Sequence, residues 1–406
     1  MLFRSISIIQ EENKFRMWYE AFPDYDKDKS SFLCYAESRD GYNWEKPDLE
    51  LVEWDGNTRN NILFKPEMHP TGHGLHGPCV FLDKNPECPA SEKYKLAHSG
   101  PDRGDGRQCY GAVSPDGIIW NFIEEPIVKE PIWADTQTVI EWNSDKEKYV
   151  GFFRGWWYNR RHVYFGQTDD FYNWTGLKPV LTSDPTLPPD HDWYCNGFHT
   201  WPGARNAYLL MPTIYRRSRD DLCVELRTSR DFRNWYKLKT NPIIEPDEHP
   251  DIFYGGVYLG HGILQFEDKT WAIPVGAPNV HHNEQRVPGS RTGHIYLAKW
   301  REDGFLGLYT KDKGEFWSQI FSFEGDAIQL SANVRPGGII SIGLHENFSN
   351  GYLPGFEIEN CKPIDVNCFW DPVSWKDNPE LAEFDDCRIR VHVKLERATL
   401  YGLRFI

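Results

Sequence analysis

One short phrase recurs along this chain: an alternating apolar run, then Ser/Thr-x-Asp-Gly/Phe, then Trp. It reads YAESRDGYNW at Tyr35–Trp44, YGAVSPDGIIW at Tyr110–Trp120, YFGQTDDFYNW at Tyr164–Trp174 and ELRTSRDFRNW at Glu225–Trp235. A worn copy, YLAKWREDGF, lies at Tyr296–Phe305. The alternation is that of a half-buried strand. Asp caps the amides of a tight turn, Gly tolerates positive φ, and Trp on the following strand covers the turn. A repeated strand–turn–strand unit buries its apolar face only against its neighbours, the signature of a repeat architecture. Copies fall roughly fifty to seventy-five residues apart, above the ~40–50 of propeller blades, so long loops are expected between strands.

The segments between copies supply the remaining strands. SISIIQE and KFRMWYEAF precede the first phrase, PCVFLD and EKYKLAHSG the second, and DTQTVIEW (Asp135–Trp142) and KYVGFFRGW (Lys148–Trp156) the third. NGFHTW and AYLLMPTIY fill the fourth unit, GGVYLGHGILQF and TWAIPVGAP the fifth. This predicts an all-β chain whose residues 1–310 form a five-bladed β-propeller. After Phe305 the runs AIQLSANV, GGIISIGLHE, GFEIENCKPI, CRIRVHVKLE and TLYGLRFI alternate without the Asp-Trp phrase, and predict a C-terminal β-sandwich over 311–406. No stretch sustains a 3.6-residue period, so helix is expected to be sparse.

Charge and cysteine usage narrow the function classes. A net charge of −15 with no basic stripe excludes a polyanion such as nucleic acid as partner. No apolar run approaches the ~18 residues that span a bilayer, and the opening residues do not read as a signal peptide. Nine scattered cysteines without a C-x-x-C pair suggest neither a disulfide framework nor a zinc ribbon, and fit a reducing, cytoplasmic setting. No histidine spacing matches a metal motif, and no cofactor is implied. Aromatic content is 15%, with 17 Trp; most pack in sheets, but flat rings also stack on the apolar faces of sugars. A homo-oligomer is compatible with all of this.

The Ser-x-Asp-Gly-x-x-Trp turn resembles the Asp-box of sialidases, a structural device. The layout, a five-bladed propeller plus a C-terminal sandwich, resembles the glycoside hydrolases of the invertase/fructanase group (family 32) and their family 43 relatives. The phrases FRMWY, YAES-DG-W-KP, YKL and the closing LYGLRF are similar to bacterial proteins of family-32-like type. The resemblance implies two carboxyl groups across a scissile glycosidic bond, brought together by the innermost strands of different blades. The family's third-blade Arg-Asp-Pro phrase corresponds to Ala134-Asp135-Thr136, which makes Asp135 the leading catalytic candidate. Two positions depart from the family. The first inner strand, SISIIQ, carries no acid, and Trp193-Tyr194-Cys195-Asn196 has Tyr194 in place of the general acid. Position nominates Asp192, Asp251 and Glu20 as replacements, with Asp190, Asp24 and Asp26 nearby.

For substrate binding the candidates are Arg154, Trp133, Trp156, Tyr194, His199, Tyr254, His281 and His76. Arg154 ends a buried strand and needs an acceptor, for which Asp135 is suited. His73, His261 and His282 also lie near strand ends. These readings predict an exo-acting glycosidase that takes a terminal fructofuranosyl, arabinofuranosyl or similar sugar into a blind funnel. The alternative is a non-catalytic carbohydrate-binding propeller. A phosphorylase on the same fold would need Arg154, Arg160, Arg161 and His281 to converge on an anion.

Overall fold

The computed structural model describes residues 2–406 apart from 23–30, 71, 73–74, 103–105, 184–186, 239–240, 247–251, 284–292, 348–350, 378 and 385–386. The described chain is all-β, with only short 3-10 turns besides strands and loops. It packs into two compact units, Met1–Leu264 with Ala272–Ala298, and Gln265–Trp271 with Lys299–Ile406.

Antiparallel sheets follow one another in chain order. The first joins Leu2–Glu11, Lys14–Phe22, Phe32–Ser38 and Trp44–Glu45, with Ile62–Phe64 added to the third strand. The second runs His76–Leu82, Tyr94–Asp102, Arg107–Ser114, Asn121–Phe122, and the third Val139–Asn143, Lys148–Trp157, Arg160–Thr168, Lys178–Leu181. The fourth group divides in two. His191–Cys195, Thr213–Arg216 and Asp221–Val224 form one sheet; Phe198–Thr200, Tyr208–Leu210, Arg227–Ser229 and Tyr236–Lys237 form the other. A fifth sheet uses Tyr258–Leu259, Leu264–Gln265, Thr270–Pro278 and Gly293–Arg301.

The recurring phrase forms the turn its residues demand. Asp40 Oδ1 accepts from the amides of Tyr42 and Asn43 at 2.8 and 2.7 Å, Ser38 Oγ accepts from Gly41 N at 2.9 Å, and Trp44 Nε1 donates to Gly41 O. Asp116 and Asp231 repeat the arrangement. Gly41 and Gly117 sit at φ +77° and +74°, but the fourth copy places Phe232 at +64°. A bulky residue there is strained. Its buried ring offsets the cost by stacking on Tyr208 (centroids 3.7 Å) and Phe165 (5.2 Å).

The first strands of successive sheets meet one another. Ile8 N donates to His261 O and His261 N to Ile6 O, at 2.9 and 2.7 Å. Val80 N donates to Ser7 Oγ at 3.0 Å. Gln137 Nε2 donates to Ile6 O (3.0 Å) and Pro78 O (3.2 Å), joining three sheets through one buried amide. Asn196 Nδ2 donates onward to Gln137 O and Phe152 O, and Gly262 N donates to His199 Nε2. These bonds link the sheets first to second, second to third, third to fourth, fourth to fifth and fifth to first.

The second unit is built on two long paired strands, Ile328–Glu346 and Arg388–Phe405. Leu308–Tyr309, Lys313–Trp317 and Phe321–Ser322 pair along the latter and Cys368–Pro372 along the former. The runs AIQLSANV and GGIISIGLHE are thus one strand, bent where the register shifts between Val334 and Ile339 and Gly337 takes φ +71°. GFEIENCKPI, expected as a strand, is instead turns with isolated bridges at Cys361 and Ile364. Its apolar residues Phe356 and Cys361 join Trp375 and Leu381 in covering Ile340, Ile342 and Val393. All nine cysteines are free thiols.

Gln137→Leu leaves two buried carbonyls, Ile6 O and Pro78 O, without their side-chain donor. Urea denaturation is expected to show a loss of about 2–3 kcal/mol; a loss below about 0.5 kcal/mol would contradict the tie's role.

Candidate active site

A pocket with about 310 Å³ of empty space, part of it open to solvent, lies where these strands meet; Arg4, Ser5, His76, Asp135, Tyr194 and Tyr258 are in its wall. Asp135 is its chemical centre. It follows Trp133 into the third sheet's first strand, with its side chain 30% exposed. Arg154 Nη2 pairs with its Oδ2, while Arg107 Nη1 and His76 Nε2 both lie 3.3 Å from Oδ1. Trp133 Nε1 donates to Oδ2 at 3.4 Å. Burial alone would raise its pKa, but Arg154, His76 and Arg107 together hold it well below the usual carboxylate range. Asp135 is therefore ionised at neutral pH, and the expected Arg154–Asp135 pair is present.

His76 connects this carboxylate to a second one. Its Nδ1 lies 2.8 Å from Glu20 Oε1, and Glu20, fully buried, accepts further from Ser5 Oγ at 2.9 Å. Burial works against a charged imidazole, yet Glu20 and Asp135 outweigh it and push the His76 pKa up to about 10. One proton-bearing ring thus stands between two carboxylates contributed by different sheets.

Aromatic groups and further cations surround the centre. The Tyr194 ring lies beneath two guanidinium groups, Arg154 at 5.3 Å and Arg161 at 5.4 Å. Arg161 also stacks on Trp156 at 4.7 Å, and Trp156 lies 6.2 Å from Trp133. Tyr258 OH bonds His282 Nδ1 at 2.7 Å, and the His282 ring packs on Tyr194 at 4.9 Å. Burial, with Arg4, Arg161 and Arg154 nearby, keeps His282 neutral.

Other candidates lie elsewhere. Asp192 is fully buried and clasped by Arg160 (3.0 Å), Arg161 (2.7 Å) and Arg217 (2.8 Å). These cations overcome burial and lower its pKa, so it cannot hold a proton for donation, and it does not line the pocket. Its role in the geometry is to fix Arg161. His199 is also buried away from the pocket, bonded to Gly197 O and Gly262 N and stacked on His261 at 5.2 Å. Burial and His261 lower its pKa to about 3. Tyr254 is exposed and packs on His281 at 5.0 Å, outside the pocket wall. Asp190 is exposed and accepts from Ser218 Oγ. Asp251, Asp24, Asp26 and His73 lie outside the described residues. Among the described residues no group of three or more His, Cys, Asp and Glu is disposed to hold a metal.

Sequence reasoning missed Arg4, Arg107 and Tyr258. Arg107 and Tyr258 stand on strands whose alternation was legible, in RQCYGAVS and GGVYLGHG, and the inner end of each strand was the available signal. Arg4 gave none, because a bulge decides where it points.

No family model matches the chain. It is similar to a fructan 1-exohydrolase of Hordeum vulgare, 25% identical over 230 residues, which is 55% of this chain and 31% of that enzyme. The match thus spans less than a third of that relative's length. Among solved structures it resembles an N-acetylgalactosamine deacetylase from F. plautii (13% identity, TM-score 0.55, 74% of this chain and 90% of that one). It also resembles an endo-1,4-beta-xylanase from Bacteroides thetaiotaomicron (14%, TM-score 0.51, 72% and 89%). At such identities the structural likeness concerns the fold. The sequence relatives are glycoside hydrolases, which supports the family-32/43-like resemblance carried by the motifs.

Two measurements test the site. Because the folded pKa of His76 exceeds the usual 6.5, its bridge stabilises fully below pH 6.5 and the contribution fades as pH rises through about 10. Imidazole nitrogen NMR should show His76 protonated at pH 8, and His76→Gln should flatten the alkaline loss of stability; a midpoint near 6.5 would refute the bridge. Asp192→Asn leaves three arginines facing a neutral amide, and should lower stability by about 3 kcal/mol or more in urea. An unchanged midpoint would show that the clasp is dispensable.

Proposed function

We propose that this chain is an exo-acting glycoside hydrolase that removes a terminal sugar, fructofuranosyl, arabinofuranosyl or similar, from an oligosaccharide or glycoside. Residues 1–310 are read as a five-bladed β-propeller and 311–406 as a β-sandwich; the linked sheets of the first unit and the separate six-stranded sheet of the second support this division. The observation that carries the activity is the pair of carboxylates from different sheets, Asp135 and Glu20, coupled through His76 beside a pocket.

Glycoside hydrolysis needs an ionised carboxylate facing the anomeric carbon and a proton for the leaving oxygen. Asp135, ionised and partly exposed, serves as the first, acting as nucleophile, as base toward water, or as counter-charge to the oxocarbenium-like transition state. On this reading the His76 imidazolium gives its proton to the leaving oxygen, the charge of Glu20 keeps the ring protonated beforehand, and water admitted on product release returns the proton. The pKa of about 10 makes His76 a reluctant donor until substrate displaces part of its contact with Asp135. Trp133 and Trp156 flank the centre as stacking surfaces for the sugar or its leaving group.

One observation favours the alternative, a non-catalytic carbohydrate-binding propeller: among the described residues Asp135 is the single carboxylate in the pocket wall. A panel of nitrophenyl glycosides separates the two. The hydrolase reading expects monosaccharide release from at least one member, reduced about 10³-fold or more by Asp135→Asn in protein whose near-ultraviolet circular dichroism is native. Sugar binding without release from any member would leave the binder.

A further inference from the structure

We infer that the pocket recognises an oxyanion, a carboxylate or phosphate group carried by the terminal sugar, and that Arg4 is the residue that binds it. The inference deepens the glycosidase reading and takes its sugar from it.

The first observation is the local backbone. Strand Leu2–Glu11 pairs Arg4 with Glu20, then Ser7 with Trp18, so its register shifts within three residues. Ser5, inside that bulge, takes the left-handed φ of +49°. Adjacent residues of a regular strand face opposite sides of the sheet, yet Arg4 and Ser5 both line the pocket. The bulge turns both inward, as such irregularities do beside functional sites, at the cost of a strained residue.

The second observation is that Arg4 lacks a carboxylate of its own. Its guanidinium lies 4.7 Å over the Tyr258 ring and donates from Nη2 to Tyr258 OH at 3.3 Å. Nε is buried and has no hydrogen-bond partner among the described residues, and no ion pair to Arg4 is present there. A half-buried guanidinium with no carboxylate in direct contact leaves a place for an anion to pair with it. Arg4 carries the charge firmly: burial opposes it, but Tyr258, Tyr194, Glu20 and Asp135 raise its pKa.

Charge balance points the same way. Asp135 is already matched by Arg154, Arg107 and His76, and Asp192 by Arg160, Arg161 and Arg217. Arg154 Nη1 and Arg161 Nε, of the two guanidinium groups near the Tyr194 ring, are likewise buried donors without hydrogen-bond partners among the described residues. Tyr258, which holds Arg4, bonds the uncharged His282, whose ring packs on Tyr194. A planar carboxylate or a phosphate suits the fork of Arg4, and a neutral hydroxyl does not discharge it.

The test compares charged ligands with their neutral parents on the intact chain. Thermal shift and calorimetric titration would use glucuronic and galacturonic acids against glucose and galactose, glucose 6-phosphate against glucose, and inorganic phosphate alone. At least one oxyanion probe should bind about tenfold or more tightly than its neutral counterpart. That margin should fall toward unity in Arg4→Gln and survive in part in Arg4→Lys. The three probe types separate a sugar carboxylate, a sugar phosphate and free phosphate as the source. Equal binding of charged and neutral parents, or no stabilisation by any oxyanion, overturns the inference. The wild-type comparison stands even where Arg4→Gln fails to fold. Hydrolysis of neutral glycosides without preference for charged ones sinks this inference and spares the hydrolase; oxyanion binding without hydrolysis does the reverse.

Discussion

The first strands of neighbouring sheets in the first unit carry backbone groups that must be paired or are buried at a loss. The chain meets this constraint with neighbouring strands and buried amide side chains. Ile8 and His261 exchange backbone bonds across the first and fifth sheets, Gln137 spans three sheets, and Asn196 hands the network to the fourth. Because the inner ends are tied, residues far apart in sequence, such as Arg4, His76, Asp135 and Tyr258, become neighbours. The pocket is a by-product of satisfying backbone hydrogen bonds.

Electrostatics then sorts the carboxylates brought to this region. Asp135 and Asp192 both hold their charge through arginine, but with different consequences. Asp135 keeps part of its surface open, and its partners leave a face toward the pocket. Asp192 is fully buried among three arginines, one of which, Arg161, packs against Trp156 and Tyr194. Two acids of one residue type thus act differently because of who surrounds them.

The sequence reading reached the sheets because the Ser-x-Asp-x-x-x-Trp turn is local: donor, acceptor and cap lie within seven residues. It reached Asp135 through the resemblance of Ala134-Asp135-Thr136 to the family's Arg-Asp-Pro phrase, and Arg154, a cation ending the apolar run VGFFR, then needed an anion such as Asp135. It could not see that Asp192 would be clasped, because Arg160 and Arg217 approach from separate hairpins. Nor could it see Arg4, whose direction depends on one backbone angle at Ser5. In the second unit GFEIENCKPI alternates like a strand, yet its apolar residues cap the sheet as turns, since periodicity reports which residues are buried and not against what. Asp251 is beyond the described residues, so its place among the candidates rests on sequence position.

Phe232 carries a lesson for anyone improving this scaffold by averaging its repeats. Two of the four turns put glycine at the equivalent position, and copying either of those turns here would replace the aromatic. Backbone torsion would relax, but the stack with Tyr208 and Phe165 would vanish, opening a void the size of a benzene ring between the third and fourth sheets. Each turn is packed by its own neighbours, so a residue that strains the backbone of one copy can still hold two sheets together.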